Sequence, residues 1–130
     1  MKGTYLLLIY VQKKSFINIG ALGRIEFQEG YYIYVGSAIG NKGSTTLLNR
    51  VKRHVDSSSN KKLHWHIDYL LDCEYTYISK IFLLPSIERL ECLLSSELKD
   101  SCDKYIYNFG SSDCTCESHL FYFSRLRDFL

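Results

Sequence analysis

The sequence predicts an α+β fold: one compact domain over residues 1–130, with a small, mostly antiparallel sheet flanked by helices. Three observations lead there. The first third of the chain holds successive short runs rich in aromatic and β-branched residues, punctuated by glycine or lysine pairs, as strands and their turns are. From Leu47 onward, apolar residues recur at helical spacing instead. Aromatic residues make up 15% of the chain, with 11 Tyr, while a single Pro, no internal repeat and no linker leave nothing to divide it. The 46% hydrophobic and 23% charged composition excludes disordered, collagenous and solenoid classes.

The elements follow in order. Thr4–Val11 (TYLLLIYV) is a buried-strand run, and Lys13-Lys14 a turn. Phe16–Ile19 and Arg24–Phe27 alternate polar and apolar residues around Gly20 and Gly23. Glu29-Gly30 turns the chain into Tyr31–Val35, so an antiparallel meander is expected. Gly36–Gly43 (GSAIGNKG) is a glycine-bearing loop, after which Ser44 or Thr45 caps a helix with Leu47, Leu48, Val51 and Val55 as its apolar stripe. Asp56–Asn60 is a loop and Leu63–Leu71 a short second helix. Glu74–Leu84 reads as a strand. Pro85-Ser86 then opens a third helix on Ile87, Leu90, Leu94 and Leu98. Tyr105–Phe109 is a last strand, followed by a polar loop to Glu117 and a short aromatic run, His119–Phe123.

Net charge is only +2, but residues 42–62 carry Lys42, Arg50, Lys52, Arg53, Lys61 and Lys62 against Asp56 alone. One basic segment on a mildly acidic body is the footprint of an anion-binding face, as a nucleic-acid-binding one would be; a solvated helix face has the same composition. The longest uncharged stretch, Gly30–Asn41, is too short to span a membrane. Five cysteines cannot form a complete disulfide framework, and Met1-Lys2-Gly3-Thr4 carries no cleavable signal, so a reducing cytoplasm is expected.

The informative constellation spans three elements. Gly3-Thr4-Tyr5 opens the first strand and Tyr34-Val35-Gly36 ends the strand before the loop. Arg50 follows on the first helix, with His54 one turn on, and Glu91 lies on the third helix. Paired tyrosines, an arginine and a carboxylate are what metal-assisted phosphodiester cleavage needs. Periodicity sets Glu88 outward but does not separate Glu91 from Glu97.

These motifs, in this order, resemble the GIY-YIG nuclease superfamily, whose helix motif Leu48-Asn49-Arg50-Val51 echoes. A closer resemblance covers nearly the whole chain and is to the largely archaeal domain of unknown function 123, a GIY-YIG-like branch. It rests on YYIYVGSAIG (31–40), RVKRHV (50–55), KLHWHIDYLL (62–71) and FGSSDCTCESHLFYF (109–123). The resemblance implies a GIY-YIG-like domain acting as a divalent-metal-dependent endonuclease on DNA, in repair or processing. Tyr5, Tyr34, Arg50, His54 and Glu91 would be catalytic, with Glu91 holding Mg²⁺ or Mn²⁺. A nucleic-acid-binding module without catalysis, and a small zinc-stabilised interaction domain, are the alternatives. DNA is the implied partner; no membrane and no particular protein partner is indicated.

Two segments lie outside the general pattern. On a helix His64 and Asp68 would share a face while His66 points away, so the HWHID segment can assist the site, bind metal, or hydrogen-bond structurally around a packed Trp65. Asp113, Cys114, Cys116 and His119 resemble half of a zinc site whose other donors would have to be His64 or His66. The expectation is against zinc: thiols locking the tail, with Cys73, Cys92 and Cys102 as packing residues and His119 supporting the site from behind.

Overall fold

The computed structural model describes residues 2–38, 46–56, 63–111 and 114–126. Its centre is a five-stranded antiparallel sheet in the order β5-β1-β4-β7-β6. Strands β1 (Gly3–Val11) and β4 (Gly30–Ala38) pair along nine residues, from Gly3↔Ala38 to Val11↔Gly30. Both read as near-continuous apolar runs because helices or side chains cover both faces. β5 (Thr76–Pro85) flanks β1, and β7 (Leu120–Phe123) lies between β4 and the two-residue β6 (Lys104–Tyr105).

The expected meander is not formed. β2 (Ser15–Asn18) and β3 (Arg24–Phe27) make their own two-stranded hairpin, and β4 returns directly to β1. The hairpin strands are short and half-exposed, whereas β1 and β4 each offer two apolar faces, so the long pair forms the core. Tyr5, Leu7, Ile9, Tyr32 and Tyr34 face one layer with Leu47, Val51, Ile67 and Leu70. Those four come from α1 (Leu47–Val55) and α2 (His66–Leu71). Leu8, Ile33, Val35, Phe121 and Phe123 face the other layer, beneath Leu94 and Leu98 of α3 (Glu91–Ser101).

Several boundaries differ from the sequence reading. Ser44 and Thr45 lie outside the described residues. The N-cap of α1 is Thr46, whose hydroxyl accepts from the Asn49 N–H at 3.3 Å. Leu48 and Val55 are exposed, and His54 takes a buried place on the inner face instead. Pro85 ends β5 rather than opening a helix; it sits on an edge strand, where a missing N–H is tolerated. The Ser86 hydroxyl then accepts from the Glu88 N–H, a local turn that postpones the helix to Glu91 and leaves Ile87 93% exposed. In the tail, β6 stops at Tyr105, and the aromatic run from Leu120 is the strand that reaches β4. No helix among the described residues is long and apolar enough to cross a membrane.

Candidate active site

Each glycine–tyrosine motif holds its glycine at a close approach. A Cβ on Gly36 would overlap the phenol ring of Tyr5, and one on Gly3 would overlap the Leu84 carbonyl on β5. The Gly36 gap lets the Tyr5 ring lie flat against β4, with Tyr34 at a ring-centre distance of 6.3 Å. α1 crosses this face and delivers His54, whose Nε2 is 2.6 Å from the Tyr5 hydroxyl. Burial pushes the Tyr5 phenol far above its usual range, and Arg50 offsets this only in part; Tyr34 is raised for the same first reason. Tyr5 is therefore a neutral phenol that can donate to His54.

Arg50 lies one helical turn before His54. Its guanidinium stacks on Trp65 at 4.5 Å and reaches the Ser37 carbonyl at 3.5 Å. A cavity of about 350 Å³ opens beside it, lined by Tyr5, Tyr34, Arg50 and, from the far side, Glu91. Glu88 and Glu97 are exposed elsewhere, and of Glu91 and Glu97, which periodicity leaves together, only Glu91 lines the cavity. His64, Trp65 and His66 complete the wall. Burial lowers the His66 imidazole, and its Nδ1 accepts the Gly110 N–H at 2.9 Å. A neutral ring accepting at Nδ1 carries its proton on Nε2. Gly110 holds a left-handed φ of 70°, which suits glycine at that corner.

Asp68 is not a surface group, and Arg53 is only partly exposed. Asp68 is fully buried and accepts both Arg53 nitrogens, at 2.7 and 2.9 Å, together with the backbone N–H groups of His64 and Trp65. Burial raises this carboxyl, but the Arg53 fork and the two N–H donors outweigh it, and the net position is below the usual range. Two readings are corrected here. His64 precedes α2, so it shares no helix face with Asp68; only its N–H meets the carboxylate. Arg53, read as a phosphate contact, is instead a strut joining α1 to α2, with Trp65 at 4.3 Å. Lys52 is exposed on α1, while Lys42, Lys61 and Lys62 lie outside the described residues.

The expectation against zinc is also overturned. Cys92, Cys114, Cys116 and His119 bring one donor atom each to within 4.8 Å of one another. His64 and His66 supply neither missing donor. The fourth is Cys92 on the first turn of α3, read from sequence as a packing residue because it sits in a helical context next to Leu93 and Leu94. Asp113 lies outside the described residues. His119 is buried between two groups, with Nε2 3.4 Å from Cys114 Sγ and Nδ1 3.5 Å from the Glu91 carboxylate. The signal for Trp65 was the HWHID string itself; Cys92 had none, since its partners are more than twenty residues away.

Fold and site together define a small α+β domain in which an antiparallel sheet presents two tyrosines to a polar cavity closed by an arginine and a carboxylate. The chain belongs to the family described as Domain of unknown function DUF123, whose model matches residues 4–130. Neither a curated protein nor a solved structure matches it.

Proposed function

We propose that the domain is a GIY-YIG-type endonuclease that hydrolyses DNA phosphodiester bonds with the help of a divalent cation. The observation that carries this reading is the convergence of Tyr5, Tyr34, Arg50 and Glu91, from four separate elements, on one cavity. The oxygen donors facing it include a single carboxylate, Glu91, beside the imidazoles of His64 and His66. That set fits an ion that keeps most of its water and takes further ligands from phosphate. Glu91 would hold such an ion, which when bound neutralises phosphate charge and acidifies water.

The chain's own residues account for the rest. Arg50, stacked on Trp65 and lining the cavity, neutralises charge that builds on the phosphoryl oxygens. Tyr5 has too high a pKa to act as a standing phenolate. Through its hydrogen bond to His54 it accepts a proton from water while passing its own to Nε2, so the proton ends on the imidazole. The water oxygen bonds to phosphorus, the bond to the 3′ oxygen breaks, and that oxygen leaves as a hydroxyl after protonation from solvent, leaving a 5′-phosphate. Tyr34 shapes the wall, and the His66 Nε2–H offers a donor to a non-bridging oxygen.

Incubation with linear, flapped and branched DNAs in the presence of Mg²⁺ or Mn²⁺ tests this. Cleavage to 5′-phosphate and 3′-hydroxyl ends is expected. Salt-sensitive binding with no product from any DNA would refute catalysis and leave a binding module.

A further inference from the structure

We propose that Cys92, Cys114, Cys116 and His119 form a four-coordinate site for one Zn²⁺ ion, which clamps the first turn of α3 to the tail loop directly behind Glu91. Three thiols and one imidazole are the donor set of a closed structural zinc site. The spacing agrees with that geometry. Zinc–sulfur and zinc–nitrogen bonds of about 2.3 and 2.05 Å at a tetrahedral angle put S and N about 3.5 Å apart. Cys114 Sγ and His119 Nε2 stand 3.4 Å apart, and all four donor atoms lie within 4.8 Å, so a small contraction closes the shell.

A second, independent observation lies on the other side of the imidazole. Histidine that binds zinc through one nitrogen ordinarily donates its other N–H to a carboxylate or carbonyl. His119 turns Nε2 to the thiols and Nδ1 to Glu91 Oε2 at 3.5 Å. Simple thiol packing requires no such arrangement. The surroundings make the same connection between helix and tail: Lys99 of α3 pairs with Glu117, which also accepts from the Tyr105 hydroxyl. The ion would thus fix the segment that carries Glu91, whatever the domain does to DNA.

The test reads metal rather than cleavage, so it stands or falls separately from the nuclease reading. Protein expressed with zinc should carry one equivalent, and Co²⁺ substitution should give the thiolate charge-transfer and intense ligand-field bands of a tetrahedral site. Stripping the ion should lower the melting temperature by on the order of 10 °C or more. Cys92→Ser replaces an exposed side chain and should fold, yet bind zinc at least about 100-fold more weakly. Cys73→Ser and Cys102→Ser should keep the full equivalent. Glu91→Gln retains all four ligands and should weaken zinc about 10- to 100-fold through His119. Metal-free protein without a thiolate–cobalt band, a disulfide between Cys114 and Cys116, or Cys92→Ser with parental affinity would overturn the site. Unchanged zinc affinity in Glu91→Gln would overturn the link to the cavity.

Discussion

Removing Arg53 should destabilise the domain severely, and in a pH-dependent way. Asp68 is fully buried, and its oxygens are shared between the Arg53 fork and two backbone N–H groups at the start of α2. Arg53→Ala leaves a buried carboxylate with its countercharge gone, a change that costs about 3–5 kcal/mol. An unfolding entropy of about 2.1 cal/mol/K per residue over 130 residues converts that into a fall of about 11–18 °C in melting temperature. The Asp68 carboxyl is held below its ordinary range, so its contribution is complete above the unfolded value, near pH 4. It is lost as pH falls through the lower folded value. Arg53→Ala should therefore trail the parent most at pH 7 and close much of the gap below about pH 3. What remains is the lost stacking on Trp65. Arg53→Lys keeps the charge but not the fork and should fall between the two. Circular-dichroism melts across this range provide the measurement. A loss under 1 kcal/mol at pH 7, or a gap independent of pH, would refute the buried ion pair as a strut.

Three further outcomes are expected. Arg50→Ala and Glu91→Gln should each cut cleavage by about 10²-fold or more while DNA binding, read by anisotropy, falls only a few fold, because Arg50 acts on charge that develops in the transition state and Glu91 would hold the ion that acidifies the water; equal losses in binding and rate would contradict this. Tyr5→Phe deletes the 2.6 Å hydrogen bond to His54 but keeps the ring in its Gly36 niche, so it should melt within about 2 kcal/mol of the parent and be nearly inactive. Gly36→Ala forces a methyl into the Tyr5 ring and should cost about 1–3 kcal/mol, seen as a melt shifted by roughly 4–11 °C; an unshifted melt would mean the ring is not locked against β4.

The parts of the fold that sequence made legible are those where local and tertiary preferences agree. β1 and β4 are long apolar runs, and α1 has a basic last turn, although its cap is Thr46 and not the Ser44 or Thr45 that the sequence suggests. Errors fall where tertiary context decides. Whether β2 and β3 extend the main sheet depends on which partner β4 finds, and nothing in SFIN or RIEF specifies that. The Ile87–Leu98 periodicity looked like one helix, but Pro85 is held in β5 by pairing with Gly3, which forces the helix to begin later.

The site divides along the same line. Gly3-Thr4-Tyr5, Tyr34-Val35-Gly36 and Arg50 are local motifs, and their glycines have steric reasons that are invisible until β5 lies against Gly3 and the Tyr5 ring against Gly36. Arg53 and Asp68 look like surface charges because charge is usually solvated; only the approach of α1 to α2 pairs a half-buried Arg53 with a fully buried Asp68. Cys92 is the clearest case. A helix-borne thiol beside leucines suggests packing, and Cys-x-Cys with one histidine suggests an incomplete site. The donors are completed only because the β7 pairing returns His119 to the start of α3, where Glu91 already faces the cavity. Cys92, in the thiol cluster, and Glu91, at the cavity, are thus neighbours in sequence on opposite sides of one imidazole.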